Sequence, residues 1–274
     1  MSRLARMSRV AAATAAAATA ILALPAPAWA DNEKPTTSIL GAQLGGSGGI
    51  FAAPQQQNQL NAVLDRAGWR TVPSVAGWFQ IQFGLTVLDV SLDLHFAGSD
   101  ATDQGGTGYA GGQEYHRGSI GVDLGYRLRL GSVVTVTPFM SASSLSSTLC
   151  FAGSPSSSSP TDLPAFEQFL ANPGRETCLE ASAFGLSVGF AFAANLRFNG
   201  ESDPKVGWLG GYLSFGPRIA YTLAIPRTRT WETGPSSDLA AEVPAFEGPI
   251  APLGGLYAGL ELQLRFALES PSGR

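Results

Sequence analysis

The sequence predicts an all-β fold: an eight-stranded antiparallel up-and-down barrel that crosses a membrane. Three observations predict it. Eight stretches alternate apolar and polar residues with a period of two, the repeat of a strand and not of a helix. Long and short connections alternate between them. The polar faces are built from Gly, Ser, Ala and Gln with a few Arg and Asp, whereas water-facing sheets are usually coated with Lys and Glu. The chain has only two lysines, Lys34 and Lys205.

Residues 1–30 read as a signal peptide. Arg3, Arg6 and Arg9 precede an apolar stretch from Ala11 to Leu24, and Ala28-Trp29-Ala30 is a small-x-small cleavage site. The mature part, 31–274, is long enough for one large β domain. Of 17 basic and 21 acidic residues, three arginines lie in the leader, so the mature chain carries a net charge of −7 (14 − 21). That balance argues against nucleic acid as a partner. No second stretch of 18 apolar residues offers a transmembrane helix.

The first strand, about Ser38 to Ala53, is glycine-rich and its facing is ambiguous. The second, Ser74 to Thr86, sets Phe79, Ile81, Phe83 and Leu85 against Gln80, Gln82 and Gly84. In the third, Leu88 to Gly98, Leu88, Val90, Leu92, Leu94 and Phe96 oppose Asp89, Ser91, Asp93 and His95. The fourth, Gln113 to Leu130, contains an almost unbroken alternation, "SIGVDLGYRLRLGS". The fifth, Val133 to Leu149, is rich in Val, Thr and Ser, and Pro138 removes one ladder donor. The sixth runs from Leu179 to Phe198, the seventh from Val206 to Thr230 and the eighth from Gly255 to Glu269. Short links fall at Val87, 131–132 and 199–206; long ones fall at 54–73, 99–112, 150–178 and 231–254. Both ends of the mature chain therefore lie on the short-turn side, and an even number of strands can close.

A soluble lipocalin-like barrel and a transmembrane barrel both fit a closed meander, with opposite faces outward. Several strands exceed the roughly 9 to 11 residues that a tilted membrane strand needs, whereas soluble strands cluster near about 5 to 6. Trp78, Tyr115 and Tyr257 lie near long-loop ends, Trp231 just past one, and Trp208 at a short-turn end. These are positions expected of interfacial girdles. Lipid is thus expected outside and the polar face inside.

On this architecture the chain resembles the small eight-stranded outer-membrane barrels of diderm bacteria, the OmpA/OmpX/OmpW-like group, from Ser38 to Glu269. The resemblance implies a place in the bacterial outer membrane, long loops outside the cell and termini in the periplasm. It also implies outer-membrane lipid and the barrel-assembly machinery as partners. Such barrels commonly end on an aromatic residue, whereas this chain continues "ALESPSGR" after Phe266, and no peptidoglycan-binding domain follows.

An eight-stranded barrel is just wide enough to be filled by its own side chains, and charges inside must pair. Counted up from the short-turn ends, Asp89, Asp93, Arg127 and Arg129 share a low level, with Arg197 and Arg265 nearby. Asp123, Arg218 and Glu261 fall nearer the middle, and His95 points inward near Asp93. Two layers of acid–arginine contacts are expected to fill the lumen. Cys150 and Cys178, the only cysteines, are expected to form a disulfide closing a Ser- and Pro-rich loop. No ligand spacing suggests a metal, and no cofactor is expected.

His116 and Ser119 lie three apart in a strand and so on opposite faces, which leaves no local nucleophile–base pair. "GGSGG" at 45–49 lacks the following helix that a phosphate cradle needs. In the loops, Leu60, Val63, Leu64 and Ala67 are at helical spacing within 55–69, and 161–170 offers a second short helix with Asp162 as N-cap. "PAFE" occurs at both 164–167 and 244–247, and Gly105, Gly106, Gly108, Gly111 and Gly112 fill loop two. The reading is a monomeric outer-membrane barrel with a structural or surface-interaction role, its loops meeting an extracellular ligand or partner. A narrow channel for small or apolar solutes is the alternative. A lipid A-modifying enzyme and a soluble secreted barrel stand further back. The intact mass of the exported protein is expected to match a chain beginning at Asp31; a mass retaining the leader would refute the processing.

Overall fold

The computed structural model describes residues 37–103, 112–131, 133–152, 165–171, 176–203, 207–225, 229–233 and 245–270. The leader 1–30, both lysines, Asp162 and most loop-two glycines lie outside the described residues. The strands are β1 (Ser38–Ala52), β2 (Val75–Val87), β3 (Val90–Asp103), β4 (Gly112–Tyr126), β5 (Leu128–Leu130) and β6 (Val134–Ala152). They continue with β7 (Glu176–Asp203), β8 (Gly207–Ile225), β9 (Thr230–Thr233), β10 (Ala245–Glu247) and β11 (Gly255–Glu269). Two helices lie in the connections, α1 (Pro54–Arg66) and α2 (Ala165–Ala171). No described helix is long and apolar enough to cross a membrane.

β1, β2, β3, β4, β6, β7, β8 and β11 pair antiparallel in that order, and β11 returns to β1 from Leu40↔Leu268 to Ala52↔Leu256. The sheet is thus a closed eight-stranded barrel. β5 prolongs β4 along β6 after a break at Arg127. Closure gives each of the eight strands a partner on both sides, the condition for a β structure to sit in lipid.

Parity decides which side faces out. Ile120, Val122, Leu124 and Tyr126 are exposed on the outer wall, and Asp123 and Arg127 are buried inside. The same holds around the ring: Leu92, Leu94, Val188, Phe190, Leu260 and Leu262 point outward. β1, ambiguous as a sequence, is oriented by its two neighbours, with Leu40, Leu44 and Ile50 outward and Gln43, Ser47 and Phe51 inward. Small residues inside make room for large ones: a Cβ at Gly84 would collide with the Asp93 carboxylate on the facing strand.

Several boundaries differ from those expected. Leu88 and Asp89 are not strand residues but the two-residue β2–β3 turn, both with left-handed φ (49° and 64°), as in the tight hairpins that match strand twist. β3 runs on to Asp103, and the link expected at 199–206 is mostly strand, since β7 reaches Asp203. β8 stops at Ile225; Thr230–Thr233 is a separate strand that pairs with the upper end of β7 (Leu179↔Thr233) and with β10.

On β6 the pattern inverts above Ala142. There Ser144, Ser146 and Thr148 face outward, while Leu145, Leu149 and Phe151 face inward. Glu114 and His116 on β4, and Glu180 and Ser182 on β7, likewise face outward against inward Tyr115 and Leu179. The long-loop ends therefore rise out of the apolar belt into water, around a core of their own. That core joins Leu60 and Leu64 of α1, Phe166 and Leu170 of α2, Trp69, Leu149, Phe151, Leu179 and Trp231.

A non-glycine residue in the left-handed region costs about 1–2 kcal/mol. Leu88 is 62% exposed, so little packing offsets that cost. Leu88→Asn is expected to stabilise the barrel by about 1 kcal/mol, read from urea unfolding in lipid vesicles, because Asn suits the turn. A destabilised variant would mean that Leu88 contributes more through packing than it loses in conformation.

Candidate functional site: the filled lumen and its cap

The interior is crossed at three heights by polar contacts, and two helices pack at the long-loop mouth. At mid-height, Arg218 of β8 reaches Asp123 (Nη2–Oδ2 2.6 Å) and Glu261 (Nη1–Oε2 2.9 Å) and lies over the Phe139 ring at 3.9 Å. His95 Nδ1 is 2.9 Å from the other Asp123 oxygen. Side chains from different sides of the barrel thus gather around one guanidinium. All of these groups are buried, where charges persist only when paired.

Below this layer Gln43 Nε2 donates to Asp93 Oδ1, and Arg127 Nη1 donates to Thr86 Oγ1 at 2.7 Å. Arg265 lies over the Tyr212 ring at 4.3 Å. At the short-turn mouth Arg129 bonds Glu269 Oε1 (2.6 Å), Ser38 Oγ (2.6 Å) and Asp89 Oδ1 (3.3 Å). Arg197 bonds the second Glu269 oxygen at 3.3 Å and the Tyr212 hydroxyl at 3.2 Å.

Asp93 does not lie level with Asp89, as counting from the turns implied. It stands directly opposite Asp123 on the neighbouring strand. The pairing Val90↔Tyr126 sets Arg127 to Leu130 beyond the β2–β3 turn, so adjacent hairpins end at different heights. Stagger of this kind follows from strand tilt and is invisible to counting. The two facing carboxylates are served by different partners, Gln43 on one and His95 with Arg218 on the other.

Two charged residues of the lumen went unnoticed in the sequence. Glu269, with 0% exposure, holds both mouth arginines from the last position of β11. Arg117 has the parity of Asp123 three pairs of residues on, so extending the alternation upward would have found it. Its Nε donates to the Tyr115 hydroxyl (2.8 Å) and its Nη2 to Gln57 Oε1 of α1, which pins the helix into the mouth.

The five aromatic residues expected in interfacial girdles do not lie on the outer wall. Trp78, Tyr115 and Tyr257 have inward parity: Trp78 stacks on Phe51 at 5.1 Å, and Tyr115 and Tyr257 are buried. Trp208 faces the short-turn mouth, packed on Tyr212 at 4.8 Å with Arg197 over it. Trp231 is buried in the cap, Nε1 donating to Pro249 O at 2.9 Å. Height along a strand suggested an interface, but parity turns the rings inside.

The cap is built from the three long connections that the described residues reach. Leu60, Val63, Leu64 and Ala67 all turn into its core. Arg66 grips Glu167 of α2 through Nε and Nη2 (Nη2–Oε1 2.5 Å), and that hydrogen bond holds the guanidinium above its ordinary pKa. Phe166 and Phe246, from the two "PAFE" segments, meet edge to face at 6.4 Å, and Phe169 lies 4.4 Å from Phe246. Cys150 and Cys178, directly opposite on β6 and β7, form a disulfide on the outer wall beside this region.

Between the layers are two small cavities, of about 30 and 50 Å³, on the scale of a few water molecules. Asp123, Phe139 and Arg218 line both and form the partition between them. His95 lines the upper one, and His116 lies out on the wall, 3.5 Å from Glu114. Among the described residues no group of His, Cys, Asp and Glu is placed to hold a metal.

A closed antiparallel wall, an apolar outer belt and a polar, ion-paired interior define a transmembrane β-barrel of the outer-membrane class. Solved structures similar to this chain include Ail, the attachment invasion locus protein of Yersinia pestis, at 9% identity over 84% of this chain and 98% of that one, with a TM-score of 0.38. Neisserial surface protein A is similar at 12% identity over 85% and 98%, TM-score 0.35. A major outer membrane protein from Thermus thermophilus is similar at 11% over 83% and 98%, TM-score 0.39. No family model and no curated protein matches the chain.

Arg218→Met would leave Asp123 and Glu261 buried without their shared cation, and breaking a buried pair in this way costs roughly 3–5 kcal/mol. A loss of that size is expected in urea unfolding in vesicles, with much of it recovered when Asp123→Asn and Glu261→Gln are added. A single variant as stable as the native chain would mean that the layer is hydrated and open.

Proposed function

We propose that this protein is a non-conducting barrel of the bacterial outer membrane that acts through its capped end. In this reading the long loops face the cell exterior and the termini lie in the periplasm. The single observation that carries it is the Asp123–Arg218–Glu261 layer beneath a hydrophobic cap: passage would require Arg218 to leave both carboxylates and α1 to leave the mouth. The cap supports a surface-interaction role, because a core of Trp, Phe and Leu side chains holds α1, α2 and the described parts of the connections together. Preordered loops bind with less entropic loss than loose ones. The local pair of His116 and Ser119 does not form, since the two have opposite parity.

Purified protein in planar lipid bilayers is expected to give no stable conductance. A steady conductance that Arg218→Met alters would favour the narrow channel. Orientation is tested on intact cells by labelling Glu247→Cys, in the cap, with a membrane-impermeant maleimide. Labelling is expected; a cap that reacts only after the outer membrane is opened would reverse the topology.

A further inference from the structure

The described residues also border a hollow outside the barrel. A groove of about 530 Å³ runs on the outer wall across β2, β3, β4 and β6. Its walls are Phe79, Ile81, Phe96 and Ile120, all exposed and apolar. Its floor is a row of small residues in register, Gly98↔Gly118↔Ser146, with Ser144 beside it. On the far side of the ring, β8 and β11 carry large outward side chains, such as Leu260, Leu262, Phe215 and Tyr221.

The groove lies where the outer face changes character. Below it are the aliphatic and aromatic residues of the belt. Above it on the same strands are His116, Thr148 and Glu114, with Glu180 on the next strand. Its lower walls suit hydrocarbon, and its upper end offers two hydroxyls. Ser146 Oγ donates one long bond, 3.5 Å to Gly118 O, and keeps its lone pairs free to accept from a lipid hydroxyl, while Ser144 has its hydroxyl proton to donate to an ester. An empty groove in hydrocarbon forfeits dispersion contacts, and a hydroxyl at the edge of hydrocarbon gains from a partner. The surrounding belt is itself the lipid interface, so the groove is a recess in a surface already covered by acyl chains.

We propose that this groove seats one acyl chain of a membrane lipid, with the chain's ester or hydroxyl group on Ser144 and Ser146. The assignment to the outer leaflet rests on the orientation proposed above; the seat itself does not. Bound lipid here would lie under the exposed Glu114–His116 pair, on the wall that carries the cap's disulfide.

The test uses full-length protein in vesicles of dimyristoyl phosphatidylcholine containing phosphatidylglycerol with a diazirine in one acyl chain. After irradiation, mass spectrometry is expected to place labels on Phe79, Phe96, Ile120 and their neighbours several-fold more often than on the opposite wall around Leu260 and Leu262. Filling the floor with Ser144→Phe and Ser146→Phe is expected to abolish the excess, whereas Leu260→Phe is expected to leave it. Both variants are first checked for the gel mobility shift of a folded barrel. Even labelling around the barrel, or labelling unchanged by filling, would overturn the proposal. So would detergent-stable dimers that the filled variant abolishes, since a second copy would then be the occupant. Failure of the maleimide test on cells would reverse the leaflet while leaving this labelling intact.

Discussion

Everything in this structure follows from one constraint: in lipid, each backbone N–H and C=O must find its partner within the wall. A sheet can meet it only by closing, and here β11 returns to β1 over nearly their whole lengths. Closure with eight strands sets the diameter, and the diameter leaves room for only a few waters beside the charges inside. Parity then sends every second residue inward, including arginines and carboxylates that lipid would not tolerate. They are left to neutralise one another. Arg218, held between Asp123 and Glu261, joins strands from different sides of the barrel and divides its interior.

The hydrophobic core lies where a soluble protein would not put it. Within the belt the apolar side chains face outward, so the barrel wall itself has an apolar exterior and a polar lumen. Above the belt water returns, and the apolar side chains turn inward. The inversion on β6, from outward Met140 to inward Leu145, marks that change of solvent along a single strand. The cap is the core of this upper region, and Gln57 with Arg117 ties it to the polar column below. The proposed surface role rests on these two regions, the cap and the outer wall.

Much of the wall was legible in the sequence because a period of two has a single physical meaning. The clean alternation of residues 119–126 assigns each side chain to a face, and the helical spacing of Leu60, Val63, Leu64 and Ala67 finds α1. Errors arose wherever height and facing had to be combined. Trp78 and Tyr257 were at the right height for an interface, but on the inward parity. Asp93 was placed by counting from a turn, and tilt moved it level with Asp123. Leu88 and Asp89 continued the alternation arithmetically while the chain was already turning, and neither residue type announces a left-handed turn as Asn-Gly would.

By itself, then, the sequence determined that the chain is an eight-stranded meander, which faces of its clean strands are apolar, and that the inward set includes both signs of charge. These are local properties, since side-chain direction in a strand depends only on the backbone of that strand. Only the tertiary structure decided which acid meets which arginine, that Glu269 anchors the short-turn mouth, and that Phe166 and Phe246 meet in the cap. It also decided that Gly98, Gly118 and Ser146 fall in one row to form a groove. These are relations between strands. They are set by register, tilt and closure, which depend on all eight strands at once and leave no mark on any single stretch of sequence.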